Sequence, residues 1–263
     1  YPGAGSDSES WVYSFSFSEE LEQDWTWSSR FPRQPEILAY LQHVAERFDL
    51  KSSFEFNSRV VSADYDQIRQ VWKVRTENGA HVSASYLITA VGCLSAAQLP
   101  DIPGRDAFQG EWYHTGRWPR KETINFSGKK VGIIGTGSSG IQAIPVLAEQ
   151  AEHLTVFQRT PNFSVPARNR ELLPDEVSHI KHEIKQIREF CKWSTIGQNY
   201  DFRDGEALSL SPLDLDRQLE EDWQRGGFQW MFGSYADLVF DETANKIAAD
   251  FVRKKIRETI KDP

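Results

Sequence analysis

The segment from Lys129 to Thr160 restricts the fold of this chain more than any other. An apolar stretch, Lys129 to Ile134, leads into Gly135-Thr136-Gly137-Ser138-Ser139-Gly140; helical spacing follows from Ser139 to Gln150, and a second apolar stretch runs from Leu154 to Gln158. The order is strand, glycine turn, helix, strand, so two parallel strands joined by a right-handed crossover are expected. The spacing G-x-G-x-x-G carries little weight alone, but between a strand and a helix each glycine has a task. Gly135 permits the tight turn, Gly137 lets the backbone approach a pyrophosphate, and Gly140 lets helix and strand pack closely. The start of the helix then offers N–H groups and the positive end of its dipole to phosphate. The candidate cofactor contacts are Gly135, Thr136, Gly137, Ser138, Ser139, Gly140, Ile141 and Gln142.

The end of the second strand selects the nucleotide. A site for NAD wants Asp or Glu there to hold the ribose 2′-hydroxyl. This chain instead reads Phe157-Gln158-Arg159-Thr160, with Arg159 nineteen residues after Gly140. An arginine grips a 2′-phosphate through two N–H groups, where a carboxylate would repel it. NADP(H) is therefore the expected nucleotide, with Arg159 and Thr160 at its phosphate.

Bulk properties exclude several other classes. The chain has 263 residues, enough to bury a sizeable core. Lys and Arg number 30 against 38 Asp and Glu, a net charge of −8, so nucleic acid is not an expected partner. No run of eighteen apolar residues and no basic-then-apolar leader is present, so no membrane partner is expected. Two cysteines, Cys93 and Cys191, have no paired metal spacing and cannot build a disulfide framework. They read as small buried hydrophobes in a reducing, cytoplasmic compartment, and no metal site is expected. The single methionine, Met231, implies a chain that begins inside a larger gene product.

Elsewhere the spacing predicts an aromatic, turn-rich packed loop over 1–33 and a helix opening at Gln34, with Ile37, Tyr40, Leu41, Val44 and Phe48 in register. Strands are expected at Phe54-Glu55-Phe56, Arg59 to Tyr65, Val71 to Val74 and Ala80 to Ser83, the last two joined through the Asn78-Gly79 turn. Tyr86 to Gly92 reads as a buried strand. Helices are expected over Pro174 to Trp193, Asp214 to Trp223 and Glu242 to Lys261, the last with Ile247, Phe251, Ile256 and Ile260 on one face.

Upstream of the glycine turn lies Phe108-Gln109-Gly110-Glu111-Trp112-Tyr113-His114-Thr115-Gly116-Arg117-Trp118-Pro119. It resembles the F-x-G-x-x-x-H-x-x-x-W-P/D fingerprint of the Baeyer–Villiger monooxygenases, class B flavoprotein monooxygenases, at every specified position. Related flavin enzymes that oxidise soft heteroatoms carry a similar motif without the final tryptophan. Tyr1-Pro2-Gly3-Ala4 with Asp7, Gln34 to Leu38, Gly135 to Gln142 and Phe157 to Pro161 extend the likeness across nearly the whole chain.

The resemblance implies an α/β fold: a partial flavoprotein of two dinucleotide-binding, Rossmann-like domains with a helical insertion. It implies FAD and NADP as cofactors and a ketone and O₂ as substrates, joined through a C4a-peroxyflavin to give an ester or lactone. It places Gly5, Ser6 and Asp7 near the nicotinamide, Tyr13 and Val60 at FAD, and makes Asp7 the carboxylate that orients a catalytic arginine. Gly5 and Ser6 stand where the family has arginine and cysteine, which leaves their backbones as the expected contacts. His114 and Trp118 are expected to couple movement of the NADP domain to the flavin site.

The implied domains are a partial FAD-binding domain over 1–92, an NADP-binding domain over 93–165 that includes the 108–119 fingerprint, and a helical insertion over 166–263. The family's FAD glycine fingerprint and catalytic arginine are absent from these residues, so an isolated fragment without turnover is expected. Two alternatives stay open: an N- or S-oxygenating flavin monooxygenase, and a non-catalytic NADP-binding protein.

Overall fold

A computed structural model describes residues 1–120 and 122–260. Along the chain, short helices α1 (Ser10–Tyr13) and α2 (Glu19–Asp24) precede α3 (Gln34–Arg47). Strands β1 (Val60–Asp66), β2 (Val71–Thr76) and β3 (His81–Ala84) follow, then β4 (Lys130–Ile134), α4 (Ser138–Gln150) and β5 (His153–Phe157). The remainder is helical: α5 (Pro174–Trp193), α6 (Pro212–Arg225), α7 (Gln229–Phe232), α8 (Asp237–Phe240) and α9 (Glu242–Thr259).

The backbone divides into two compact units, one of Tyr1 with 42–123 and one of 2–41 with 124–263. In the first, β1, β2 and β3 form an antiparallel meander in that order. Tyr65 lies opposite Trp72 with ring centroids 5.3 Å apart, the kind of cross-strand aromatic pair that fixes register. Gly79, at φ 88°, makes the turn into β3 that Asn78-Gly79 predicts.

In the second unit β4 and β5 pair in parallel, with Val131 opposite Leu154 and Ile134 opposite Phe157, as the crossover reading requires. Ala143 and Leu147 are the buried face of α4. The helical portion builds its own core from Leu215, Leu219, Trp223, Trp230, Phe251 and neighbours. Trp230 stacks on Phe251 at 5.3 Å and meets Trp223 edge-on at 5.5 Å. Residues 2–41 are tied to this portion by Arg188 of α5, which donates to the carbonyls of Val12 and Ser14, both at 2.8 Å, and pairs with Glu22 at 3.0 Å. Asn169 and the backbone of Phe31 exchange two hydrogen bonds of 2.9 Å.

Four expectations are corrected. Phe54-Glu55-Phe56 is not a strand: Phe54 closes a 3₁₀ turn over Leu50–Ser53, and Asn57 at φ 57° reverses the chain. The alternation there reflects stacking of the two rings at 5.8 Å. Tyr86 to Gly92 is neither paired nor buried; Tyr86, Ile88 and Val91 are 86%, 88% and 74% exposed. Burial of a parallel strand depends on its neighbours, and none lies alongside this run among the described residues. Cys93 is exposed and Cys191 half-buried, both free, because the first follows that unpaired run and the second sits on the flank of α5.

On α9, Ala244, Phe251 and Val252 are buried while Ile247, Ile256 and Ile260 stay accessible. At 3.6 residues per turn, Ile256 falls roughly 120° around the helix from Ala244, and Ile260 lies just past the end of α9 in extended backbone. The expected end of that helix at Lys261 lies outside the described residues.

Candidate nucleotide-binding site

The glycine turn has the geometry its sequence demands. Gly135 sits at φ 98°, a region open to glycine, and its N–H donates to the Phe157 carbonyl at 2.9 Å. A methyl group at Gly140 would come within 2.4 Å of the Gly135 carbonyl oxygen, so strand end and first helical turn approach as closely as the chain allows. Gly137 is the N-cap of α4 and supplies no side-chain cap; nothing lies within 4 Å of where its Cβ would be. The helix start therefore faces open space with its leading N–H groups, which fits a pyrophosphate.

At the end of β5, the Gln158 amide donates to the Thr136 hydroxyl at 2.8 Å, fastening strand end to glycine turn. Arg159 and Thr160 are exposed, and Arg159 has no ion-pair partner among the described residues. An exposed guanidinium one residue beyond that tether suits a second phosphate.

The Gly3–Asp7 loop lies against the same helix. Gly3 adopts φ 77°, and a Cβ there would meet the Gln142 carbonyl at 2.1 Å and Val146 at 3.2 Å. The Gln142 amide donates to the Gly5 carbonyl at 3.1 Å and to Asp7 Oδ1 at 3.0 Å. The structure thus brings Gly5, Asp7 and the first turns of α4 together. Ser6 turns inward on its own loop: its N–H donates to the Pro32 carbonyl at 2.9 Å, and its hydroxyl donates to the Ser8 carbonyl at 2.9 Å. Arg33 donates to the Gly3 carbonyl at 2.9 Å from behind. Tyr13 ends α1 with its ring half exposed.

In the other unit, Val60 opens β1, exposed opposite Thr76. The 108–119 motif makes a series of local contacts. The Phe108 ring covers Gly110, where a Cβ would lie 2.6 Å from it. His114 Nδ1 accepts from the Gly116 N–H at 3.0 Å and caps the 3₁₀ turn Thr115–Arg117. A Cβ on Gly116 would lie 3.2 Å from the His114 ring and 3.3 Å from the Ala97 methyl group. Arg117 reaches the Ala97 carbonyl at 3.1 Å, and Trp118 lies 5.6 Å from the Tyr113 ring. With Nδ1 committed to the turn, His114 holds backbone shape.

Residues 9–199 match the model of the pyridine nucleotide-disulphide oxidoreductases. The chain belongs to that family. Within it, the chain is 42% identical over its whole length to a phenazine N-monooxygenase of Lysobacter antibioticus, of which it covers 48%. It is equally 42% identical, again over its whole length, to a Baeyer–Villiger monooxygenase of Pseudooceanicola batsensis, covering 48% of that protein. The structure of a cyclohexanone monooxygenase from Rhodococcus sp. bound to NADP⁺ superposes with a TM-score of 0.95 at 45% identity, over 100% of this chain and 49% of the other. A further solved relative is a complex with FAD and NADP. The chain thus spans about half the length of the relatives it matches. Among its described residues no helix is long and apolar enough to cross a membrane.

Three residues that position this site were not singled out in the sequence: Gly3, Arg33 and the Gln158 tether. Gly3 follows Pro2, a turn signal, but its requirement comes from Gln142, far along the chain.

Proposed function

We propose that this chain is the NADP(H)-binding part of an FAD-dependent Baeyer–Villiger monooxygenase that inserts one oxygen atom of O₂ beside a ketone carbonyl to give an ester or lactone. The observation that carries the reading is the complete 108–119 motif ending in Trp118-Pro119. The glycine turn supports the NADP half: Gly135, Thr136, Gly137, Ser138, Ser139, Gly140, Ile141 and Gln142 would cradle the pyrophosphate, and Arg159 with Thr160 the 2′-phosphate. Gly5, Ser6 and Asp7 would lie toward the nicotinamide, and Tyr13 and Val60 against FAD.

When bound, NADPH supplies a hydride and FAD the two-electron carrier through which O₂ reacts. The chain's own part is to hold and orient. Asp7, already fixed by the Gln142 amide, would direct a cationic side chain supplied from elsewhere in the protein. His114 and Trp118 would keep the segment leading to β4 in one shape while the nucleotide domain moves. Residues 1–92 would serve FAD, 93–165 NADP, and 166–263 form the helical insertion. The cytoplasm is the proposed compartment, with neither nucleic acid nor membrane as partner.

The equal identity to a phenazine N-monooxygenase favours N-oxygenation as a second reading. Product analysis separates them. The protein that carries this chain, given NADPH, O₂ and in turn cyclohexanone, a thioether and a phenazine, is expected to form the lactone. Only sulfoxide or N-oxide would favour the second reading, and nucleotide binding without oxygenation would leave a non-catalytic NADP-binding protein.

A further inference from the structure

We infer that Gln158 is a specificity-determining and positioning residue of the nucleotide site, acting through Thr136; the inference rests on the NADP(H) reading above. Gln158 occupies the strand end where a site for NAD places its carboxylate. Its amide is turned onto the glycine turn, donating to Thr136 Oγ1 at 2.8 Å. A hydroxyl has one proton to give and two lone pairs to receive with. Because Thr136 receives from Gln158, its own proton stays available for an acceptor outside the turn. The uncapped start of α4 lies beside it, facing open space. A phosphate oxygen placed there would accept that proton.

The next residue, Arg159, has no ion-pair partner among the described residues. Gln158 therefore does two things at once. It orients Thr136 as a donor toward the pyrophosphate, and it keeps the strand end free of negative charge beside Arg159. A glutamate would undo both: a carboxylate can only accept, so it would draw the Thr136 proton inward, and its charge would repel a 2′-phosphate while suiting a ribose hydroxyl.

The test measures dissociation constants of NADPH and NADH for this chain by titration calorimetry, in the wild type, Gln158→Leu, Thr136→Val, the double variant and Gln158→Glu. Loss of one neutral hydrogen bond weakens binding about fivefold. Gln158→Leu is expected to weaken NADPH and NADH by that same factor, with the double variant no weaker than the worse single variant. Gln158→Glu is expected to cost NADPH about tenfold or more relative to NADH.

Wild-type affinities for both nucleotides from Gln158→Leu, or additive losses in the double variant, would overturn the tether. An unchanged NADPH-to-NADH ratio in Gln158→Glu would overturn the specificity role. A wild type that prefers NADH sinks the NADP reading while the Leu and Val variants still judge the tether, and a wild type that binds neither nucleotide removes both. Circular dichroism of each variant shows whether weak binding reflects a lost tether or a lost fold.

Discussion

Gly140 leaves no room for a methyl group, since its Cβ would stand 2.4 Å from the Gly135 carbonyl. Replacement by alanine must push helix and strand apart, an overpacking that costs on the order of 1–3 kcal/mol. Gly140→Ala is expected to lower Tm by a few degrees and weaken NADPH binding; a melting curve and titration that match the wild type would show that the turn can relax. The tasks of Gly135 and Gly140 were legible in the sequence because the motif is local: turn and packing are both settled within six residues. Gly3 and Gln158 were not, because their constraints come from Gln142 and Thr136, partners that only folding brings near. The same limit hid how Asp7 is held, although the residue itself could be named.

At the scale of elements, spacing was most informative where a segment buries one stripe against neighbours within the chain. α5 has the bounds expected of it, Pro174 to Trp193, and its start is secured by Glu176. That carboxylate accepts from the Leu173 N–H at 3.0 Å and pairs with both guanidinium nitrogens of Arg170 at 2.6 and 2.7 Å. The Arg170 hydrogen bond, with help from the backbone, lowers the Glu176 pKa from 4.5 to about 2. A depressed carboxylate stabilises the fold fully above its unfolded value of 4.5, and the contribution fades as pH falls through about 2.

A carboxyl NMR titration should therefore place Glu176 near 2, and Arg170→Ala should move it back toward 4.5; a wild-type midpoint at 4.5 would contradict the pairing. Tyr86 to Gly92 shows the opposite case. Its apolar run promises a strand, but without a paired neighbour among the described residues the promise stays unmet. Hydrophobicity along a chain specifies that a segment wants covering; it does not specify what covers it.

Across the whole molecule, the glycine turn, α4, β5, Arg159 and the Gly3–Asp7 loop all fall within one of the two compact units, whereas Val60, His114 and Trp118 fall in the other. The residues proposed for nucleotide recognition thus lie within a single unit, whereas those proposed for FAD, Tyr13 and Val60, fall one in each. On the proposed reading this unit selects NADP(H) through Arg159. Calorimetric titration of wild type and Arg159→Ala with NADPH and NADH measures that selection. A hydrogen-bonded charge pair is worth about 1.5–3 kcal/mol, so the substitution should raise the NADPH dissociation constant roughly 10- to 100-fold and leave NADH within about twofold. Equal losses for both nucleotides, or a wild type that binds NADH as tightly as NADPH, would contradict it.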